Sequence, residues 1–311
     1  MAGPAETIRI VLPSRAVASA EAARREAPRS IPAASLVARP PVPGTVRIEP
    51  TARCNYACSF CTQPTRRHQR GEMRWPLYTR LVGEMADAGV QALGLHYLGE
   101  PFLCEWLPDA IGHAKARGIP YTFVSTNGSE ATAARVAACM EAGLDALEFS
   151  LNFADAAQFR EMACARPALF REAIANLGAA REVRDRGQHA CALVASSLRY
   201  DASQEERMAA LVAEMLPYVD EHYWMAPHRH GESHAVPCES LFTEAHIAFD
   251  GTLSACGFDP GPAYAMADLA RVAFLDGWHG ERFVRLREAH LRRDLACTAC
   301  EDCGARRPAA G

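Results

Sequence analysis

The chain has 311 residues, of which 49% are hydrophobic and 23% are charged, and its formal net charge is −4. A chain of this composition buries a core, which excludes an intrinsically disordered protein. The slightly negative charge argues against nucleic-acid binding, because that function needs a basic face. The length fits one domain of barrel size with a small additional module.

We expect a cytoplasmic protein that does not enter a membrane. The apolar run at residues 8–12 is interrupted by Arg9 and is too short for the hydrophobic region of a signal peptide. No stretch approaches the ~20 apolar residues that a membrane span requires. In a reducing compartment, the twelve cysteines are expected to be metal ligands or buried thiols rather than disulfides.

The predicted elements divide the chain into three parts. Residues 1–44 form an extension without a clear strand pattern, and a proline-rich stretch closes it like a linker. From residue 45 to residue 227, helices alternate with short apolar strands, which predicts an α/β fold with a parallel sheet. The predicted strands are 46–50, 91–97, 121–125, 146–150, 190–196 and 222–225, and the helices are 77–88, 107–116, 131–141, 155–184 and 205–216.

Residues 228–311 have a different character. A polar connector that contains His228, His230 and His234 leads to a predicted hairpin with an Asp-Gly turn at residues 250–251. A helix is predicted over residues 278–293, and cysteines follow it. We therefore expect a small separate module at this end of the chain.

Three cysteines lie close together after the first strand of the alternating region. Cys54, Cys58 and Cys61 have the spacing C-x3-C-x2-C. Three thiolates can hold three irons of a cubic [4Fe–4S] cluster, which leaves the fourth iron able to bind another group. Zinc is the alternative, but structural zinc prefers four ligands, usually as two close pairs. No clear fourth ligand lies nearby in the sequence.

With Phe60 before the last cysteine, this stretch resembles the signature of the radical S-adenosylmethionine (radical SAM) superfamily. The resemblance implies a partial (β/α)6 TIM-like barrel and a SAM molecule whose amino and carboxylate groups chelate the open iron. It further implies that one electron splits SAM into methionine and a 5′-deoxyadenosyl radical, which takes a hydrogen atom from an unactivated C–H bond. That electron would come from an external reductant of the flavodoxin or ferredoxin type.

The same resemblance implies SAM-binding residues at the C-terminal ends of the strands, where barrels of this kind place their reactive groups. The stretch Leu98-Gly-Glu-Pro is similar to the family's Gly-Gly-Glu-like motif, with leucine in place of the first glycine. The later candidates are polar residues at the ends of the third, fourth and fifth strands, and those of the fifth strand could equally cap the strand. Together the cofactor-binding candidates are Phe60, Gly99, Glu100, Pro101, Ser125, Asn127, Ser150, Asn152, Ser196 and Arg199.

The C-terminal cysteines resemble the twitch, or short SPASM, module that follows some radical SAM barrels. There, two cysteines flank a hairpin and two come from a C-x2-C pair, and together they hold an auxiliary [4Fe–4S] cluster. A zinc ribbon is the alternative that the spacing alone allows. The candidate ligands are Cys238, Cys256, Cys297, Cys300 and Cys303.

Five cysteines are available for four ligand positions of that cluster. Cys303 is the additional one if the module follows its usual pattern, and Cys256 is the additional one if Cys303 is a ligand. A thiol outside the cluster, either Cys256 or Cys303, is a candidate hydrogen-atom donor to a substrate radical. It could equally be a surface residue without a role.

Family members with this short module act in aminoglycoside pathways, where they epimerise an aminosugar or oxidise a deoxyaminocyclitol. The resemblance thus implies hydrogen abstraction from a small sugar or aminocyclitol in aminoglycoside-like natural-product biosynthesis, and the fifth cysteine favours epimerisation slightly over oxidation of a ring alcohol. Acidic residues such as Glu221 and Glu239 are candidates to pair with ammonium groups. The alternatives are a peptide-modifying SPASM maturase and a non-catalytic metal-binding protein.

Overall fold

A ten-stranded sheet organises the described part of the chain, which is residues 9–11, 31–61, 71–225, 237–259 and 261–301 in a computed structural model. The strands, in chain order, are β1 (Arg9–Val11), β2 (Thr45–Ile48), β3 (Ala92–Gly94), β4 (Tyr121–Thr126), β5 (Ala146–Ser150), β6 (Ala192–Leu198), β7 (Glu221–Met225), β8 (Glu244–Ile247), β9 (Thr252–Ser254) and β10 (Ala265–Asp268). Their order across the sheet is β1-β7-β6-β5-β4-β3-β2-β8-β9-β10.

Strands β2 to β7 are parallel and adjacent in sequence order, and helices connect them. The sheet does not close on itself, which confirms the predicted partial barrel. The helices are α1 (Trp75–Ala88), α2 (Leu107–Ala116), α3 (Ala133–Glu141), α4 (Ala156–Ala163), α5 (Ala168–Gly187), α6 (Gln204–Met215), α7 (Ser240–Thr243), α8 (Phe274–Trp278) and α9 (Glu281–Arg292).

The two faces of the sheet carry different side chains because neighbouring residues of a strand point to opposite faces. The main core lies between the sheet and the helices and includes Leu93 and Leu147. A second, small cluster of Ala92, Phe123, Ala146 and Ala192 lies on the other face, where the last three are register partners. We call this second face the inner face of the barrel. It becomes polar towards the C-terminal ends of the strands, where the candidate site lies.

Two of the predicted helices were wrong in extent. The predicted helix over 155–184 is two helices, α4 and α5. Cys164, which follows α4, has a left-handed backbone (φ 49°), and Pro167 is the N-cap of the next helix. The predicted helix over 278–293 is α9, which begins later than predicted, after its N-cap Gly280, while Trp278 ends the separate short helix α8.

The N-terminal extension also differs from the prediction, because β1 is a strand. It pairs antiparallel with β7, so that Arg9 lies opposite Tyr223 and Val11 opposite Glu221. A three-residue strand has too few residues to show a clear alternation, and its pairing partner lies about 200 residues away. It covers the edge of the barrel that would otherwise end at β7.

The C-terminal part shares the sheet with the barrel. Strand β8 pairs in parallel with β2, and β9 and β10 continue antiparallel from it. Arg47 of β2 donates a hydrogen bond of 2.6 Å to Glu244 of β8. The domain boundaries after residues 44 and 227 stay predictions, and the connector with His228, His230 and His234 lies outside the described residues. None of the described helices is long and apolar enough to cross a membrane.

Candidate active site and cluster-binding segments

The loop that carries Cys54, Cys58 and Cys61 follows β2 and is held by the end of α4. The amides of Ala57 and Ser59 each donate a hydrogen bond of 2.8 Å, to the carbonyls of Ala163 and Met162. The last carbonyls of a helix have no partner within the helix, so α4 offers them to this loop. The loop therefore has a fixed position although it contains no helix or strand.

The three thiols are electrostatic neighbours. Burial is the main cause that raises the pKa of Cys54 to about 12, and the charge of Cys61 raises it further. Burial also raises the pKa of Cys58, as do Cys54 and Cys61. Within the described ranges, no three His, Cys, Asp or Glu side chains are already arranged around a common metal position. The fit of an iron–sulfur cluster therefore rests on the soft thiol donors and on the segments packed around them.

The turn after β3 lies directly against this loop. A Cβ atom on Gly99 would lie 1.8 Å from the carbonyl oxygen of Thr51, and 3.0 Å from that of Arg53. The amide of Glu100 donates to the carbonyl of Arg53 at 2.8 Å. Only glycine allows two backbones to approach this closely. The sequence-predicted Gly99 and Glu100 are thus brought beside the cysteine loop, and Pro101 begins the 3₁₀ turn that follows.

Glu100 is buried and joins the ends of two strands. Its carboxylate accepts hydrogen bonds from Thr126 Oγ1 at 2.6 Å, from the Asn127 amide at 2.7 Å and from the Phe102 amide at 3.0 Å. Burial raises its pKa to about 7, although these three hydrogen bonds oppose the shift. The side chain of Asn127 continues the connection, because its Nδ2 donates to Asn55 Oδ1 at 2.8 Å. Asn55 follows Cys54 in the loop.

Sequence reasoning missed Glu49, a fully buried carboxylate directly after β2. Its Oε1 accepts the amides of Leu98 and Gly99 at 3.3 and 3.1 Å, and its Oε2 accepts the amide of Phe249 at 3.2 Å. Glu49 therefore links the Gly99 turn to the residues that follow β8. Its partners lie about 50 and 200 residues away in the chain, so no local pattern indicates this role.

A row of hydroxyl groups crosses the inner face from β4 to β7. Ser125 Oγ lies 3.1 Å from Ser150 Oγ, which lies 3.5 Å from Ser196 Oγ. Ser196 donates to Glu148 Oε1 at 2.8 Å, and the Tyr223 hydroxyl donates to the same oxygen at 2.6 Å. We call these five residues the hydroxyl row. The sequence predicted the three serines, but it did not single out Glu148 or Tyr223.

Asn152 faces a small cavity beside this row. The cavity is lined by Tyr56, Asn127 and Ser150, among others. Asn152 Oδ1 is buried and has no hydrogen-bond partner among the described residues. A buried polar atom without a partner is costly, so a bound polar group is expected to satisfy it. This orphaned atom, the close approach at Gly99 and the thiol donors together fit a cluster with a polar cofactor beside it.

The structure places two further candidates at the rim of this region. Phe60 packs on the rings of Phe153 and Tyr200, with centroids 6.0 and 5.5 Å away. Arg199 forms an ion pair with Glu205 at the start of α6, and its Nε is buried without a hydrogen-bond partner in the described chain. The cofactor role expected for Arg199 stays a prediction.

The C-terminal cysteines that the structure describes lie next to strands and helices of the second half of the sheet, and Cys238 precedes α7. The amide of Cys238 donates to His290 Nδ1 of α9 at 3.3 Å. Cys256 follows β9, and its carbonyl accepts a hydrogen bond from the hydroxyl of Tyr97. Cys297 is exposed, Cys300 is buried, and Cys303 lies outside the described residues.

Two family models match the chain. One describes the radical SAM superfamily and matches residues 48–193, and the other, SPASM, describes an iron–sulfur cluster-binding domain and matches residues 238–304. The chain therefore contains a radical SAM domain followed by a SPASM domain. These domains imply a [4Fe–4S] cluster with SAM, as well as auxiliary iron–sulfur binding.

The chain is also similar to individual proteins. A PqqA peptide cyclase of Xanthomonas euvesicatoria pv. vesicatoria is 34% identical over 119 residues, which are 38% of this chain and 31% of the relative. The match thus spans about a third of that relative's length.

Two solved structures have the same fold. SuiB of Streptococcus suis, bound to its precursor peptide SuiA, has a TM-score of 0.60 at 16% identity and covers 85% of this chain and 70% of its own. BtrN, in complex with AdoMet and 2-DOIA, has a TM-score of 0.53 at 18% identity and covers 79% of this chain and 86% of its own. At these identities the likeness concerns the fold alone.

Proposed function

We propose that this radical SAM enzyme acts on a C–H bond of a small hydroxylated and aminated ring, a sugar or an aminocyclitol, and inverts the configuration of that carbon. When bound, the cluster and SAM supply the abstraction of a hydrogen atom from an unactivated C–H bond. The observation that carries the substrate proposal is the hydroxyl row with Glu148 at its end. An external flavodoxin- or ferredoxin-type reductant would supply one electron to cleave each SAM. A second electron from it, with a proton from solvent, would return the thiyl radical left on the donor cysteine to a thiol.

The hydroxyl row offers a carboxylate and hydroxyl groups, which can bind the ammonium and hydroxyl groups of a polyhydroxylated cation. Glu148 is nearly buried on the inner face, and Ser196 and Tyr223 already orient its carboxylate. A carboxylate in such a place attracts an ammonium group strongly, because little water screens it. The hydroxyls of Ser196 and Tyr223 both donate and accept, so they suit ring hydroxyls. Ser125 and Ser150 remain the candidates for SAM, and Glu148 and Tyr223 are our candidates for the substrate.

Cys256 is our preferred hydrogen donor for the inversion. Tyr97, whose hydroxyl binds the Cys256 carbonyl, immediately precedes the Leu98-Gly99 turn at the cysteine loop. A Cβ on the next residue, Gly257, would lie 2.9 Å from Nε2 of the buried His246 on β8. Both contacts support a location of Cys256 beside the barrel mouth. Cys303 stays the alternative donor, with Cys256 then an auxiliary-cluster ligand.

The first experiment is anaerobic turnover in D2O with SAM, a reductant and a panel of aminoglycosides, read by mass spectrometry. Inversion predicts a product one mass unit heavier than the substrate, formed together with 5′-deoxyadenosine. A product two units lighter, after back-exchange in ordinary water, would instead indicate a dehydrogenase of a ring alcohol. If 5′-deoxyadenosine forms but no panel member changes, the sugar proposal is wrong.

A variant pair tests the donor. Cys256→Ala should still form 5′-deoxyadenosine but should incorporate no deuterium into the substrate, because the substrate radical receives no hydrogen atom. Cys139→Ala is the matched control, since Cys139 is a buried thiol of α3, on the helix side of the sheet. Deuterium incorporation by Cys256→Ala at the wild-type level would rule out Cys256 and leave Cys303 as the candidate.

Peptide modification is the second candidate function. It is favoured by the sequence similarity to a PqqA peptide cyclase, which covers 38% of this chain. The same panel should therefore include short peptides, read for a loss of two mass units. A peptide product without any sugar product would replace our proposal.

A further inference from the structure

Arg287 of α9 is a cation that is completely buried. Its Nε donates to the carbonyl of Leu241 at 2.8 Å, and its Nη1 donates to the carbonyl of Trp278 at 2.7 Å. The guanidinium packs against two neighbouring aromatic rings, 3.9 Å from the centroid of Trp278 and 4.3 Å from that of Phe283. These contacts fix its position closely.

No negative charge accompanies this cation in the part of the chain that the structure describes. Arg287 forms no ion pair there with Asp or Glu, and its Nη2 is buried without a hydrogen-bond partner. Burial lowers the pKa of the guanidinium to about 9, and no neighbouring carboxylate opposes the shift. Aromatic faces and carbonyls compensate a buried charge only in part. A compensating anion is therefore expected at this position.

The contacts of α9 indicate where that anion lies. The carbonyl of Leu241 accepts the hydrogen bond from Arg287 Nε. Leu241 lies one helical turn after Cys238, and its amide donates to the Cys238 carbonyl at 3.1 Å. One turn along α9, the ring of His290 accepts the amide of Cys238. In a guanidinium, Nε and Nη2 share one edge, so the unsatisfied Nη2 is on the side of Leu241. Arg287 and His290 thus both face the segment of the first C-terminal cysteine.

We propose that Arg287 is a positioning residue for the auxiliary iron–sulfur cluster, whose reduced form it stabilises by its positive charge. A cubic cluster held by thiolates carries a net negative charge, and one added electron makes that charge more negative. A fixed cation nearby therefore favours the reduced form and raises the reduction potential. This inference concerns the cluster only and does not depend on the substrate of the enzyme.

The test measures the midpoint potential of the auxiliary cluster by electron paramagnetic resonance during a redox titration. The full chain is used with Cys54, Cys58 and Cys61 replaced by alanine, so that the signal comes from the C-terminal cysteines alone. Arg287→Met removes the charge but keeps much of the apolar length. Arg285→Met is the matched control, because Arg285 lies on the same helix and its side chain is 74% exposed. Iron content and melting temperature are recorded for each variant.

We expect Arg287→Met to shift the potential to a clearly more negative value, and Arg285→Met to leave it nearly unchanged. A purely structural role would lower the melting temperature of Arg287→Met without moving the potential, and an unchanged potential in an iron-loaded variant would overturn the proposal. If Arg287→Met does not retain iron, Arg287→Lys decides. Restored iron and a potential near the wild-type value support the charge role. An equally iron-poor lysine variant would show that the planar contacts, not the charge, matter.

Discussion

Gly99 determines how closely the turn after β3 approaches the cysteine loop. We expect Gly99→Ala to displace this turn, because the added Cβ would lie 1.8 Å from the Thr51 carbonyl and neither backbone can rotate away. A misplacement of about 1 Å can slow an enzymatic step by roughly a hundredfold. The rate of 5′-deoxyadenosine formation should fall by a factor of this order.

The control for this prediction is Gly44→Ala, since a Cβ at Gly44 would meet no heavy atom within 4 Å. Its rate should equal that of the wild type. A Gly99→Ala variant that forms 5′-deoxyadenosine at the wild-type rate would contradict our location of the SAM site.

At the scale of single residues, the sequence identified those site residues that belong to a short motif. The cysteine triplet and the Gly99-Glu100 pair are motifs, and the structure brings them together. Glu49, Glu148 and Tyr223 were missed because each acts through partners that are distant in the chain, such as Phe249 for Glu49. Such pairings depend on strand order, which local patterns do not show.

Helix α4 supports the cysteine loop through its last two carbonyls. Asp155 caps its other end, where Oδ1 accepts the amides of Ala157 and Gln158 at 2.9 and 2.8 Å. Loss of an N-cap costs about 1 kcal/mol. Asp155→Ala should therefore loosen α4 and, with it, the hydrogen bonds to Ala57 and Ser59.

Amide hydrogen exchange at Ala57 and Ser59 measures this effect, and about a fivefold acceleration corresponds to 1 kcal/mol. Asp201→Ala is the control, because Asp201 accepts the amide of Ser203 before α6, away from the loop. Unchanged exchange at both amides in Asp155→Ala would mean that α4 does not support the loop.

At the scale of elements, the apolar periodicity predicted helices and strands reliably, but it did not predict where a helix is interrupted. Helix α2 and strand β5 have their predicted bounds. The break between α4 and α5 was missed because alanine-rich sequence continues through it, and only the left-handed Cys164 and the following Pro167 end the first helix. A helix-favouring composition does not reveal where one helix stops and another begins.

For the whole molecule, we predict a loss of stability in mild acid. Burial lowers the pKa of His222 to about 4, from 6.5 as the ordinary value. The folded protein therefore keeps this imidazole neutral, while the unfolded chain takes up a proton below 6.5. The stabilisation is complete above pH 6.5 and is lost as the pH falls towards 4. Between pH 7.5 and pH 5 the loss from this one group is about 2 kcal/mol.

Denaturant unfolding of the holoenzyme at both pH values measures the effect. His222→Gln should show a smaller decrease of stability on acidification than the wild type, because glutamine does not titrate. His222 packs against Ser197 Oγ at 3.1 Å and against the ring of Trp224, so the variant is also expected to be less stable at neutral pH. An identical pH dependence of both proteins would contradict the prediction.

The position of β2 has a consequence for the synthesis of the chain. This strand lies between β3 and β8, and its contact from Arg47 to Glu244 joins residues that are 197 positions apart. During translation, one side of β2 stays without its neighbour until nearly the whole barrel has been made. The native sheet is thus completed late, and the barrel strands are expected to depend on chaperones or on slow emergence from the ribosome until β8 arrives.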